Sequence, residues 1–289
     1  MWDPMDVALF DKCINYITKH YKVVLLEELV MNDALKKEQN LVTISFDDGY
    51  KDNIEHAAPI LKKYSCKASF YIVTDCIEHN SLTWTHILEH SFQYTQIPEL
   101  KLEFDFLPVQ LHTRLLPTKS DRVAYAKKLI PFLKTIAHEK REQVLETVKK
   151  TFTDCTLPKL MMNWDDIAKL NADGFFVGSH SVSHHMLGTM SDETQIKFEL
   201  ERSRQVILER LGYAPATISF PINSYNENTI RLSKEAGYTA GLAVHQRMYD
   251  PESDNDFEIP RIELYNESWW KTRMRITGFL EKIKTVIKN

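Results

Sequence analysis

The order of structural elements along the chain is the feature that most restricts its fold. Three segments repeat one pattern, in which an amphipathic helix is followed by a glycine and then by a short apolar run. Glycine often takes the left-handed position just past the end of a helix. Because only 8 of 289 residues are glycine, each is expected to have a backbone role. The three segments are 163–177, 191–220 and 226–244.

Two further apolar runs nearer the N-terminus are predicted to be strands. They lie at 41–46 and 68–73, with a predicted helix at 52–63 between them, and 23–26 is a shorter candidate. Strands that are apolar and alternate with helices indicate a parallel sheet covered by helices. We expect an α/β fold with about six or seven strands. That number suits an open doubly wound sheet or a barrel, and the count does not choose between them.

Residues 81–160 interrupt this pattern. The stretch contains five prolines and two helical stretches, at 121–137 and 138–152. No low-complexity segment or linker separates it from the rest of the chain. We therefore expect a helical insertion within a single domain that spans 1–289.

Composition and charge narrow the class of protein. The net charge of −4 gives no support to a nucleic-acid partner, which usually binds a basic face. The sequence contains no run of about 18 apolar residues, so no membrane span is predicted. The N-terminus carries acidic residues where a signal peptide carries basic ones. The four cysteines lack Cys-x-x-Cys spacing, so reduced thiols in a cytoplasmic protein are expected.

The C-terminal segment 265–289 is predicted to form a basic amphipathic helix. From residue 269 onward it holds six basic residues and one acidic residue, and its apolar residues recur at near-helical spacing. Basic amphipathic helices with aromatic residues lie on anionic bilayers, which would make the protein peripheral to a membrane. The same apolar stripe also suits packing against the protein's own sheet. Both interpretations stay open.

Two adjacent carboxylates end the strand at 41–46. Asp47 and Asp48 follow Phe46 directly, and Gly49 turns the chain immediately afterwards. Ligands of parallel sheets gather at the carboxyl ends of strands, so this pair is a candidate site. Two acids held close together resist joint ionisation unless a cation or a donor lies beside them. The alternative is a structural Asp-Gly turn in which an aspartate caps a helix.

A histidine cluster follows the predicted strand at 175–177. His180 and His184 are four residues apart, so one helical turn would place both rings on the same side. Imidazole is a common ligand of zinc and similar metals. His185 points away from that face, so we expect it to support the site or to have no part in it. The alternative is a set of solvated loop histidines.

Together the two segments predict a catalytic metal site. Two histidines and one carboxylate leave positions open for water, and the second carboxylate is free to act as a base. Iron(II) oxygenases also use two histidines and one carboxylate. Those enzymes normally have all-β scaffolds, which the alternation of strands and helices here disfavours.

The motifs Phe46-Asp47-Asp48-Gly49 and Ser179-His180-Ser181-Val182-Ser183-His184 resemble those of the polysaccharide deacetylase family, the NodB-homology carbohydrate esterases. Further similarity lies at 163–174, at Leu187, at 237–238 and at 259–262. The resemblance covers roughly 20–78 and 160–264 and leaves the insertion unmatched.

This resemblance implies a distorted (β/α) barrel of about seven strands. It also implies that Asp48, His180 and His184 bind Zn²⁺ or another divalent transition metal, and that Asp47 is the general base. The implied reaction is hydrolysis of an N-acetyl group, or less often an O-acetyl group, on a sugar or a polysaccharide precursor.

Two family motifs differ in this chain. The third is usually Arg-x-Pro-aromatic, but here it reads Ser219-Phe220-Pro221-Ile222-Asn223. Arg261, from a neighbouring strand, is a candidate to replace the missing arginine, although a structural role suits it equally. The last motif supplies a general acid on a Leu-x-His strand, and His245 is the candidate, although it falls one strand early. Tyr225 and Asn223 are candidate substrate contacts.

Two other functions remain open at this stage. One is a deformylase or amidase that acts on a lipid-linked amino sugar or a small cyclic amide. The other is a catalytically silent relative that only binds carbohydrate. The presence of both aspartates and both histidines argues against a silent relative, whereas the altered third motif keeps that alternative in consideration.

Overall fold

The computed structural model describes residues 4–280 of the chain. Its strands are short, at two to four residues each. In chain order they are β1 Lys22–Val23, β2 Leu41–Val42, β3 Ser45–Phe46, β4 Ser69–Ile72, β5 Glu99–Leu100, β6 Arg114–Leu115, β7 Phe176–Ser179, β8 Thr217–Ser219, β9 Ala240–Ala243 and β10 Ile259–Pro260. The α-helices are α1 Val7–His20, α2 Leu26–Val30, α3 Asp33–Lys36, α4 Ala58–Lys63, α5 Thr74–His79, α6 Trp84–Tyr94, α7 Lys119–Leu133, α8 His138–Thr151, α9 Trp164–Ala172, α10 Glu193–Leu211, α11 Glu227–Glu235 and α12 Trp269–Ile276.

Six parallel strands form the central sheet, in the order β3-β4-β7-β8-β9-β10. The sheet curls into a half-barrel, and the parallel pair β1-β2 forms a separate small sheet. The predicted α/β barrel-like class is therefore confirmed. Because all six strands are parallel, their carboxyl ends lie along one edge of the sheet.

The three predicted helix–glycine–strand units are confirmed. Gly174, Gly212 and Gly237 have φ values of 88°, 81° and 90°, the left-handed conformation expected past a helix end. At the other end of α9, the side chain of Asn163 accepts a hydrogen bond from the backbone N–H of Asp166, and the Asp166 side chain bonds back in a capping box.

Two local predictions were wrong. The strand predicted at 41–46 is two strands, because β2 pairs with β1 whereas β3 pairs with β4. The candidate at 23–26 ends at Val23, and Leu26 already begins α2. Both errors concern strand boundaries, which depend on pairing rather than on apolar spacing. The helix predicted at 52–63 is confirmed, and its first part, Asn53–Ala57, is π-helical before α4 begins.

The main core lies between the sheet and the helices that cover it. Phe70 of β4 and Val177 of β7 pack in one apolar cluster with residues of α1, α4 and α9. Ile14, Leu61 and Ile167, from those three helices, are each at most 1% exposed. This cluster fixes the strands whose ends carry the candidate site.

The predicted helical insertion contains α6, α7 and α8. It also contains the antiparallel pair β5-β6, which was not predicted because strands of two residues show no periodicity. The insertion has its own apolar cluster, and Met186, from the segment after the histidine motif, is a buried member of it. The insertion therefore packs directly on that segment.

The C-terminal helix is described only in part. Helix α12 packs near α1, with the rings of Trp269 and Tyr16 5.7 Å apart, while Trp270 is 71% exposed. Residues 281–289 lie outside the described part of the chain, so the predicted helix over 265–289 stays a prediction there. None of the helices in 4–280 is long and apolar enough to cross a bilayer.

Candidate active site

The carboxyl ends of four strands bring the candidate residues together. Asp47 and Asp48 follow β3, His180 follows β7, Ser219 ends β8 and Arg261 follows β10. Hydrogen bonds or ion pairs link these side chains into one group. Sites of this kind are expected outside the carboxyl ends of parallel strands.

A tight turn allows two adjacent aspartates to reach one site. The Gly49 N–H donates to the Asp47 carbonyl at 2.9 Å, and Asp48 between them has a φ of 71°. Such a three-residue turn is strained and reverses the usual alternation of side chains. Gly49 has a φ of 91°, and a Cβ there would lie 2.8 Å from Cδ1 of Ile77. Glycine is therefore required at this turn.

Asp48 faces both histidines. Its Oδ1 lies 3.1 Å from Nε2 of His184 and 3.4 Å from Nε2 of His180. Burial alone raises the pKa of Asp48, but the charges and hydrogen bonds of His184 and His180 outweigh it and hold that pKa well below its usual range. Asp48 is therefore an anion with two imidazole nitrogens directed at it.

The donor set fits a divalent metal ion. One ligand atom from each of Asp48, His180 and His184 lies within 4.8 Å of the other two. Tetrahedral zinc with bonds of about 2.0–2.1 Å places neighbouring ligand atoms about 3.3 Å apart, close to the observed spacing. Nδ1 of His180 lies 2.7 Å from the Ser219 carbonyl oxygen, so it donates its proton there. That bond leaves the Nε2 lone pair of His180 free for a metal.

Asp47 occupies a different environment from Asp48. Its carboxylate accepts two hydrogen bonds from Arg261, at 2.9 and 2.6 Å, and one from the Ser219 hydroxyl at 3.1 Å. Burial raises the pKa of Asp47, but the charges of Arg261 and His180 and the bonds from Arg261 bring it below its ordinary value. The nearest histidine atom, Nε2 of His180, is 4.0 Å away. Asp47 is thus an ionised carboxylate at the edge of the group formed by Asp48, His180 and His184.

The Arg261 side chain lies beside the third motif, which lacks the expected arginine. Ser219 stands at the start of that motif, and Arg261 donates to its hydroxyl at 2.7 Å. Arg261 comes from β10, which β9 separates from β8, so it lies one strand farther away than predicted. The structure places the guanidinium on Asp47, and its catalytic role stays a prediction.

His245 lies beyond the end of β9 and is exposed. Its Nε2 is 3.0 Å from the Tyr225 hydroxyl, which donates to Glu258 at 3.1 Å. Burial and the Glu258 charge raise the pKa of Tyr225 to about 12. Within residues 4–280, no hydrogen bond or ion pair joins His245 to the two aspartates.

The side chain of Asn223 is engaged by the backbone beside His245. Its amide accepts from the Val244 N–H at 2.6 Å and donates to the Val244 carbonyl at 3.3 Å. Ile222 and Asn223 both have left-handed backbones, with φ values of 54° and 55°, which marks this motif as strained. The roles of Asn223 and Tyr225 in binding substrate stay predictions.

Sequence reasoning did not single out Tyr50 or His86. Tyr50 follows Gly49, is buried, and has its hydroxyl 2.9 Å from Nδ1 of His86 in α6. The insertion therefore contacts the aspartate turn. The position of Tyr50 directly after Asp-Asp-Gly is the sequence feature that could have indicated its place in the site. The sequence of α6 does not indicate which loop this helix packs against, so His86 was not predictable.

Comparison with known proteins identifies the family of the chain. The chain matches the family described as polysaccharide deacetylase over residues 34–122 and 123–241, which together are more than half of its length. The half-barrel fold and this match define a protein of the carbohydrate deacetylase class. The chain belongs to the polysaccharide deacetylase family.

Individual relatives are distant. A poly-β-1,6-N-acetyl-D-glucosamine N-deacetylase of Staphylococcus aureus (strain COL) is 24% identical over 278 residues, 96% of this chain and 72% of that protein. YxkH of Bacillus subtilis (strain 168) is 20% identical over 216 residues, 75% of this chain, and the match spans about half of YxkH, 49%. The Streptococcus pyogenes deacetylase PplD, solved in complex with acetate, shares the fold. Its TM-score is 0.63 at 14% identity, covering 95% of this chain and 87% of PplD.

Proposed function

We propose that this protein is a metal-dependent hydrolase that removes N-acetyl groups from a polymer of N-acetylglucosamine. The observation that carries the proposal is the cluster of Asp48, His180 and His184 beside a separately held, ionised Asp47. The choice of polymer is supported by the S. aureus relative, which is named for this substrate and aligns with 96% of the chain.

Asp48, His180 and His184 would hold Zn²⁺ or another divalent transition metal. A metal at this position would polarise the acetamide carbonyl and lower the pKa of a water molecule. His180 is oriented for this by its bond to the Ser219 carbonyl, which fixes the proton on Nδ1.

Asp47 would accept the proton of the attacking water. Arg261 and Ser219 fix the position of its carboxylate, and Arg261 keeps it ionised so that it is able to take up a proton. We assign His245, at the exposed end of β9, to protonate the departing amine, with Tyr225 orienting its ring. One water is consumed and the C–N bond breaks, so the products are acetate and the free amino sugar.

The test measures metal content and acetate release together. The purified protein is incubated with oligomers of β-1,6-linked N-acetylglucosamine, and β-1,4-linked oligomers, O-acetylated xylan and an N-formylated amino sugar are compared in parallel. We expect one metal ion per chain and acetate release that is fastest on the β-1,6-linked oligomers. Both should be lost with a strong chelator and restored by metal.

Three results would contradict the proposal. Preferred release of formate would indicate a deformylase. Preference for xylan would indicate an O-acetyl esterase. Binding of oligosaccharide by the metal-loaded protein without any acetate release would indicate a silent carbohydrate-binding relative.

A further inference from the structure

The two histidines of the metal cluster are held differently. His180 is fixed at its second ring nitrogen by the Ser219 carbonyl, at 2.7 Å. Nδ1 of His184 is buried, and no residue within 4–280 hydrogen-bonds to it. Metal-binding histidines are usually oriented by a bond at the second nitrogen, so the orientation of His184 must come from another source.

The backbone does not orient His184 by itself. His184 has a φ of 62°, a left-handed conformation that is unfavourable for a residue with a side chain. On its N-terminal side, its N–H donates to the Ser181 hydroxyl at 3.2 Å. A strained conformation persists only where surrounding contacts enforce it. The contacts of the segment that follows His184 therefore matter for the position of its ring.

That following chain is held by the first turn of α8, in the insertion. The ring of His138 packs edge-on against His185, with the ring centroids 4.4 Å apart. The carboxylate of Glu139 accepts a hydrogen bond from the Ser191 hydroxyl at 3.1 Å. The segment is thus contacted immediately after His184 and again at its far end.

Arg141 makes the central contacts. Its guanidinium, 0% exposed, donates to the Thr189 hydroxyl at 3.1 Å and lies 3.4 Å from the Met186 sulfur. It also donates to the carbonyls of Leu133 and Ile136, at 3.5 and 3.4 Å. Within residues 4–280 it has no ion pair with a carboxylate. A buried charge is costly unless its donors are bonded, so displacing the segment would leave this charge less satisfied.

We infer that Arg141 is a positioning residue for the metal site: it holds the segment 185–191, and this segment holds His184 against Asp48. The inference rests on the proposed function, because it assumes that Asp48, His180 and His184 bind the metal. It gives the insertion a role, because α8 then helps to set the position of His184, whose Nδ1 has no hydrogen-bond partner among residues 4–280.

A second metal site at the same place is disfavoured. His138, Glu142 and His185 each offer a ligand atom within 4.8 Å of the others, a spacing that a metal could use. Nη2 of Arg141, however, lies 3.3 Å from Nδ1 of His138. This contact takes up the lone pair of that nitrogen and puts a fixed positive charge beside the cluster, which would repel a divalent cation. We therefore expect one metal ion per chain.

The experiment compares two buried arginines of the insertion. Arg141→Met removes the donors and keeps most of the volume, whereas Arg141→Lys keeps the charge. The matched control is Arg122→Met, because Arg122 is also buried, at 4% exposed. Among the described residues, 4–280, Arg122 donates only to carbonyls inside the insertion, those of Phe92, Leu116 and Pro117. Zn²⁺ affinity is measured by competition with a chromophoric chelator, and the visible spectrum of the Co²⁺-loaded protein reports ligand geometry.

Loss of supporting contacts around a metal ligand typically lowers metal affinity by about 10–100-fold. We expect a loss of that size and an altered Co²⁺ spectrum for Arg141→Met, with partial recovery in Arg141→Lys. Arg122→Met should lower the melting temperature and leave both metal readouts unchanged. If Arg141→Met does not fold, Thr189→Val tests the same contact from the other side, because valine keeps the shape of threonine without the hydroxyl.

The outcomes separate this inference from the proposed function. A wild-type protein that binds no metal overturns both. A wild type that binds one metal, together with Arg141 and Thr189 variants whose affinity and spectrum do not change, overturns the inference alone and leaves Arg141 a structural residue. Two metal ions per wild-type chain, or an equal loss of affinity in Arg122→Met, also overturns it.

Discussion

Arg261 and Asp47 form a two-point salt bridge, with Nη1 2.9 Å from Oδ1 and Nη2 2.6 Å from Oδ2. The two residues lie 214 positions apart in the chain and meet because β3 and β10 end at the same edge of the half-barrel. A planar guanidinium matches a carboxylate at two points and so fixes its orientation as well as its charge. The orientation of the proposed base therefore depends on the last strand of the sheet.

Replacing Arg261 by lysine should show whether Asp47 needs the two-point geometry of the guanidinium or only a nearby positive charge. Arg261→Lys keeps the positive charge but cannot form both bonds, so we expect kcat to fall by about 10²-fold while the metal stays bound. The measurement is the rate of acetate release at saturating substrate, with metal content determined on the same sample. Arg231→Lys is the control, because exposed Arg231 pairs with Glu193 and Glu235 away from the site. A rate for Arg261→Lys equal to that of the control would show that the bidentate geometry is not needed.

The two adjacent aspartates should respond differently to the same change. Asp48→Asn removes the anion that faces His180 and His184, so metal affinity should fall strongly. Asp47→Asn should keep most of the metal and lower turnover by about 10²–10⁴-fold, the usual contribution of a general base. Metal content and deacetylation rate of both variants give the answer. Loss of metal in Asp47→Asn with retention in Asp48→Asn would reverse the two roles.

The site residues that directly follow apolar runs in the sequence were predictable from the sequence. Asp47 and Asp48 come directly after an apolar run, and His180 and His184 directly follow another, so parallel topology alone places them at one edge. The left-handed Gly174, Gly212 and Gly237 were predicted for the same reason, since each follows an amphipathic helix.

The contacts that come from distant parts of the chain were not predictable in this way. The pairing of Arg261 with Asp47 depends on the order of strands and on how strongly the sheet curls, which apolar spacing does not encode. The same holds for Arg141, which looks like an ordinary surface residue in the polar helix α8 but is fully buried. Its environment depends on how the insertion docks, and no periodicity in the sequence specifies that.

A buried carboxylate at the opposite end of the sheet should matter for stability alone. Glu27 of α2 is 7% exposed and accepts hydrogen bonds from the hydroxyls of Ser69, Tyr71 and Thr217, at 2.8, 2.9 and 2.5 Å. Glu27→Ala leaves these donors without their acceptor, so we expect a loss of about 2–4 kcal/mol in the free energy of unfolding. Denaturant titration measures it. Glu28→Ala is the neighbouring control, with a salt bridge to Lys67 at a half-exposed position and an expected loss within about 1 kcal/mol.

His245 should affect the rate if it donates the final proton to the departing amine. We expect His245→Gln to lower kcat by about 10²–10⁴-fold, the usual contribution of general acid catalysis, while the metal content stays unchanged. Tyr225→Phe keeps the imidazole and removes only its hydroxyl contact, so a smaller loss of kcat is expected there. The rate of acetate release at saturating substrate is measured for both variants. An unchanged kcat in His245→Gln would assign the acid to another group.

His138 should make the protein less stable in acid. Burial, His185 and Arg141 lower the pKa of His138 from 6.5 to about 4, against smaller opposing effects of Glu139 and Glu199. Between those two pH values the unfolded chain binds the proton and the native protein does not, so the free energy of unfolding falls as the pH falls. The share of His138 in that loss is at most about 3 kcal/mol, complete near pH 4.

The measurement is urea unfolding of metal-free protein at pH values from 7 to about 4, which removes the pH dependence of metal binding from the comparison. We expect His138→Asn to lose less stability than the wild type over this range, because asparagine keeps an acceptor for Arg141 and does not titrate. Gln143→Asn, at an exposed position of the same helix that carries no titratable group, should retain the wild-type slope. Parallel pH profiles for the wild type and His138→Asn would mean that His138 takes up its proton equally in the folded and unfolded chain, and that Arg141 does not exclude charge from this turn of α8.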